Sequence, residues 1–193
     1  MINILTLSSF ALTVLHMAVA PASAHGYVSH PPSRQARCKA GEVPGCGPVR
    51  DEPQSVEGLH GSFKCNGNGA RFPELNDEAL WLGHFFTVPS GVDSLDFTWT
   101  LPMPHRTTTF EYFTLTDEIT LLASFNYGNT TPPSTLEHPV PLNLPTGRQT
   151  ILARWNVGDT PNSFYSCVDL HIDPEIAVAD AATMQLPIGI LRD

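Results

Sequence analysis

Phe97-Thr98-Trp99-Thr100-Leu101 alternates large apolar side chains with threonine. A period of two puts Phe97, Trp99 and Leu101 on one face, and aromatic and β-branched residues suit a half-buried strand. Working outward, Val168, Leu170 and Ile172 alternate with Asp169, His171 and Asp173, which predicts a second strand with a polar, solvent-facing side. Residues 107–116 and 149–157 are apolar, aromatic and Thr-rich and read as two more strands. Proline (18) and glycine (14) exceed their usual combined share of about 12% and cut the chain into short segments, as in an all-β fold with long loops. Residues 124–145 read as loop, because Pro132, Pro133, Pro139 and Pro141 exclude a helix and any central strand. Residues 50–89 have no clean period and are expected to form one long excursion with short helical turns, a length that is usually functional. No internal repeat or low-complexity tract is visible.

The N-terminus carries a separate signal. An apolar run from Ile4 to Ala20 is followed by Pro21-Ala22-Ser23-Ala24, a small-residue A-x-A cleavage pattern. The run is short for a membrane span, which needs about 20 apolar residues. We therefore expect 1–24 to be a signal peptide, 25–173 a single domain and 174–193 a C-terminal extension. Cleavage after Ala24 makes His25 the first residue of the mature chain. An N-terminal histidine offers a metal two nitrogens from one residue, its free amine and its imidazole Nδ1. No internal histidine can do so.

The 19 acidic and 10 basic residues give a net charge of -9, all of it after residue 24. Such a chain repels nucleic acid and anionic lipid, so a neutral partner is expected, with no nucleic acid and no membrane. Four cysteines in a secreted setting predict two disulfides. Three pairings are open. The short Gly/Pro-rich segment between Cys38 and Cys46 favours joining those two, leaving Cys65 with Cys167. The spacing does not match the C-x₂₋₄-C pairs of zinc sites. Asn129-Thr130-Thr131 is an N-glycosylation sequon.

A second histidine, His105, follows the Phe97 strand at a corner fixed by Pro102 and Pro104. A third element runs from Trp155 through Asp159, Thr160, Asn162 and Phe164 to Cys167 and Asp169. Together with His25-Gly26-Tyr27-Val28, Pro32, Arg34 and Glu52-Pro53-Gln54-Ser55-Val56-Glu57-Gly58, these segments occur in family order over almost all of 25–173. In them the chain resembles the lytic polysaccharide monooxygenases of auxiliary-activity family 10, once classed as chitin-binding modules.

The resemblance implies an immunoglobulin-like or fibronectin-III-like β-sandwich, with the 50–89 excursion helping to form a flat binding face. It also implies one copper ion held by the His25 amine, the His25 imidazole and the His105 imidazole, a nitrogen set that suits copper. Phe164 matches the apolar residue on the metal's axis. Glu57 matches a carboxylate beside the metal, able to handle protons. Asp51, Glu52, Asp159, Thr160 and Asn162 match the polar surface that hydrogen-bonds polysaccharide. The implied reaction is oxidative cleavage of crystalline chitin at C1, using an external electron donor and O2 or H2O2. It needs no pair of glycosidase carboxylates. The alternatives are a non-catalytic chitin-binding lectin or defence protein and a cellulose-active oxygenase. A monomer is expected.

Several residues carry plainer readings. A lone histidine or loop carboxylate is most often structural or solvated, and without their flanking motifs His25, His105 and Glu57 would be read so. His60, His84 and His171 are expected to be structural or exposed, and Trp155 to be buried packing. Met103 stands where the family carries a small residue, two positions before its second histidine. Asp51 stands where many chitin-active relatives carry an aromatic.

Overall fold

The computed structural model describes residues 24–174. The signal-peptide reading and the C-terminal extension lie outside those residues. Two β-sheets face one another. The smaller holds β1 (His25–His30), β4 (Ser94–Met103) and β7 (Thr135–Pro141), in the order β1-β4-β7. The larger holds β2 (Glu57–Leu59), β9 (Asn162–Ile172), β8 (Gly147–Val157), β5 (Thr107–Thr114) and β6 (Thr120–Thr130), in that order, with β3 (Phe86–Val88) parallel to β9. This is the expected all-β, immunoglobulin-like sandwich. Among the described residues no helix is long and apolar enough to cross a membrane.

The four strands read from alternation or composition are β4, β5, β8 and β9, and their inward faces make the core. Trp99, Phe110, Trp155 and Phe164 are fully buried there, with ring centroids 5.3 Å (Trp99–Phe110), 5.9 Å (Phe110–Trp155) and 5.1 Å (Trp155–Phe164) apart. One expectation is overturned, because residues 124–145 are largely strand. Pro139 and Pro141 sit in β7, opposite Asp96 and Ser94 of β4. β7 is an edge strand, and alternate residues of an edge strand turn their nitrogens away from the sheet, where proline's missing N–H costs nothing. The prolines excluded a central strand, not an edge one.

β9 corrects a second expectation. Asp169 does not face solvent and is only 2% exposed. The excursion and the segment before it lie over the outer face of β8 and β9 and bury Tyr165, Cys167, Leu152 and Phe113 against Val49, Val56, Leu75 and Trp81. A helix that periodicity had not indicated, α1 (Arg34–Ala40), starts this layer. Ser33 caps it by accepting from the Ala36 N–H, and Gly41, at φ 75°, ends it in the left-handed conformation that glycine tolerates. α2 (Glu78–Trp81) is a single turn within the excursion. Cys38 pairs with Cys46 and Cys65 with Cys167, and the second bridge pins the excursion to the middle of β9.

Beneath the layer, Arg34 is fully buried. It donates from Nε and Nη2 to both Asp169 oxygens (2.7 and 2.9 Å) and from Nη1 to the Leu75 carbonyl (2.7 Å) and Glu78 (2.9 Å). Burial works against its charge, but the bonds to Asp169 and Glu78 outweigh that and hold its proton more tightly than usual.

His138 of β7 joins the sheets. Its Nδ1 accepts from the Tyr112 hydroxyl at 2.7 Å, and its Nε2 faces the Tyr127 hydroxyl at 3.1 Å. Tyr112 in turn accepts from the Trp99 indole at 3.0 Å. Burial pushes the His138 pKa down from 6.5 to about 4. The unfolded chain therefore binds more protons between those values, and the contribution of His138, full above pH 6.5, is lost as pH falls toward 4. After discounting for nearby solvent, the window is worth about 2 kcal/mol. Thermal denaturation should thus show a steeper fall in Tm from pH 6.5 to 4.5 for the wild type than for His138→Gln, which does not titrate there. Parallel curves would refute the linkage.

Candidate active site

The register of β1 on β4 builds one end of the sandwich. His25 lies opposite Met103. His105 follows just past Pro104, in the turn from β4 to β5, so that turn brings the second histidine to the strand that begins with the first. The His25 residue is half-buried, and the His105 side chain is 14% exposed. The neighbouring Gly26 has a packing reason. A Cβ there would run into Leu101 and stand 3.0 Å from Cζ3 of Trp155, so the indole lies directly beneath the backbone. Trp155 also donates to Thr107 Oγ1 at 2.7 Å, and that hydroxyl donates to the His105 carbonyl at 2.9 Å. Thr107 was not singled out from sequence; it begins β5, opposite Val157 of β8, and the register of those two strands gives it its place.

His105 Nδ1 faces Asp159 Oδ2 at 3.4 Å. A carboxylate only accepts, so Nδ1 is the donor in this contact. Phe164, 1% exposed, packs on Trp155 and pairs in register with Glu57 of β2. Glu57 accepts from Asn162 Nδ2 at 2.7 Å through Oε1. Glu57, Asn162 and His60 line an open cleft of about 620 Å³ beside the exposed Leu59. The structure thus brings Glu57, Phe164 and Asn162 into one group and His105 and Asp159 into another, joined by the loop at 158–162.

Asp51 and Glu52 lie before the turn Pro53–Ser55, which packs against β1. Asp51 pairs with Arg50, whose hydrogen bond and charge hold its carboxyl below the ordinary range, and Glu52 pairs with Arg71. Met103 is 54% exposed, opposite His25. Asn129 is exposed at the end of β6, its side chain against Gly158. His171 stacks on Phe85 and His84 lies against Trp81, away from this end.

Among the described residues no three His, Cys, Asp or Glu side chains gather as a metal cage. Two imidazoles remain, one on His25, whose main-chain nitrogen is a third donor once the peptide bond before it is cut. That all-nitrogen set fits copper and not zinc's usual four side-chain ligands.

A family model described as lytic polysaccharide mono-oxygenase, cellulose-degrading, matches residues 25–170. The chain belongs to the lytic polysaccharide mono-oxygenase family. A lytic chitin monooxygenase of Streptomyces ambofaciens is 42% identical to this mono-oxygenase over 81% of the chain and 86% of its own length. The neutron structure of a Jonesia denitrificans lytic polysaccharide monooxygenase superposes with a TM-score of 0.70 at 41% identity, over 77% of this chain and 100% of that one. A Streptomyces lividans monooxygenase of auxiliary-activity family 10 superposes with a TM-score of 0.69 at 33% identity, over 76% and 99%.

Proposed function

We propose that the chain is a secreted, copper-dependent monooxygenase that binds crystalline chitin and oxidises it at C1 after loss of residues 1–24, the domain running from 25 to 173 with 174–193 as an extension. The observation that carries this reading is the β1–β4 register, which sets His25 beside the turn holding His105 at one open end of the sandwich. His25 and His105 would hold the copper through three nitrogens. Copper, when bound, supplies one-electron redox chemistry that uses an external reductant and O2 or H2O2.

The chain's own residues do the rest. Asp159 holds the His105 ring through Nδ1. Phe164, buried against Trp155, would present only carbon to the metal. Glu57, oriented by Asn162, can accept or return a proton at the reacting end. Asp51, Glu52, Thr160 and Asn162 offer hydrogen bonds to sugar hydroxyls, and an acidic surface tolerates a neutral polymer. Chitin is favoured by the name of the Streptomyces ambofaciens relative, and cellulose by the description of the family model.

Copper-loaded protein beginning at His25, incubated with chitin or cellulose, ascorbate and H2O2, should release aldonic acids from chitin, read by mass spectrometry. Binding to chitin without oxidised products would instead make it a lectin, and products from cellulose alone would reassign the substrate. Glu57→Gln should lower oxidation by roughly 10²-fold while copper affinity and chitin binding hold. Full turnover in that variant would leave Glu57 a solvated charge.

A further inference from the structure

Hydrogen-bond directions around His60 are fixed by its partners. Asn156 Nδ2 stands 2.8 Å from Glu111 Oε2 and 2.8 Å from Thr109 Oγ1. A carboxylate only accepts, so the Asn156 amide is fixed with Oδ1 toward Ser163, whose hydroxyl donates to it across 2.6 Å. Ser163 has no second proton to give. His60 Nδ1, 2.7 Å from the same hydroxyl oxygen, must therefore donate. His60 Nε2 lies 3.1 Å from the Thr160 carbonyl, which also only accepts. Both ring nitrogens of His60 thus face oxygens of the segment 160–163.

The same residue holds the next carbonyl too, because its backbone N–H donates to Pro161 O at 3.0 Å. At its far end the loop is held by the Gly158 N–H, which donates to Arg106 O at 2.6 Å. Between these anchors lie Asp159, against His105, and Asn162, against Glu57.

We propose that His60 is a positioning residue, which clamps the 158–162 loop through its ring and its backbone N–H and thereby sets Asp159 against His105 and Asn162 against Glu57. It extends the proposed function and rests on that reading for its consequence, though not for its geometry. The charged groups around the ring are Glu57 and Lys64, which share its cleft, Glu111 behind Asn156 and Ser163, and Asp159 on the loop itself.

Nuclear magnetic resonance of the metal-free protein and two His60 variants tests this. The resonances read are the amides of Asp159, Thr160 and Asn162 and the Asn162 side chain. In His60→Gln, which keeps a side-chain donor, they should stay near their wild-type positions. In His60→Phe they should be displaced, with chitin affinity down about 5-fold, the worth of about one net hydrogen bond, and Tm almost unchanged. Loop resonances that keep wild-type positions in His60→Phe would overturn the clamp. Copper binding by the wild type, measured separately, tests the function reading without touching these spectra.

Discussion

A form of the protein that keeps Ala24 ahead of His25 is expected to bind copper on the order of 10³-fold more weakly than the form beginning at His25. Losing a partner that merely orients a ligand costs about 10–100-fold in metal affinity, and here one of three donors is itself converted to a non-basic amide. The fold should not suffer, because β1 pairs with β4 through residues from His25 onward. The free amine, with an ordinary pKa of about 7.7–8.0, must release its proton to the metal, so affinity in the cleaved form should rise with pH through that range. Calorimetric titration of both forms, with thermal denaturation as control, measures this. Equal affinities would remove His25 as a two-nitrogen ligand.

The second large effect is on stability. Asp169→Ala should cost about 3–5 kcal/mol, because it strands the charge of Arg34 beneath the outer layer with only the partly exposed Glu78 opposite. For a domain of this size that lowers Tm by roughly 10 °C or more. Pairing Asp169→Leu with Arg34→Met should recover only part of the loss, since it removes the stranded charge but leaves the Thr150 hydroxyl and Arg148 without Asp169 and the Leu75 carbonyl without Arg34. A single-variant loss below about 1 kcal/mol in urea denaturation would mean that water reaches the guanidinium.

Asp169 also marks what could and could not be read beforehand. The alternation around Phe97 and Trp99 was legible because β4 has one face in the core and one in water. In β9 the polar member of the alternation is buried, because α1 and the excursion cover it, and a layer contributed from far along the chain leaves no local period. The prolines of β7 misled for the opposite reason, since the rule they obey concerns position in the sheet. At the candidate active site, His25, His105, Glu57 and Phe164 came from motif, and their neighbourhood came from register, which pairs Glu57 with Phe164 and His25 with Met103. His60 was read as structural or exposed. Only the direction of each bond around Asn156 and Ser163 gives it more to do.

The β1–β4 register has a further consequence, for the order of events during folding. The two histidines stand at positions 25 and 105, and the aspartate that steadies the second stands at 159. Bringing such distant parts together belongs to the late, slow steps of folding, since the entropy of closing long loops is spent before their contacts form. A metal ion meeting the growing or unfolded chain would find its donors far apart. On the proposed reading the metal pocket would be an outcome of folding and not its template, and loading would come last, after strand pairing and after the cut that frees the amine.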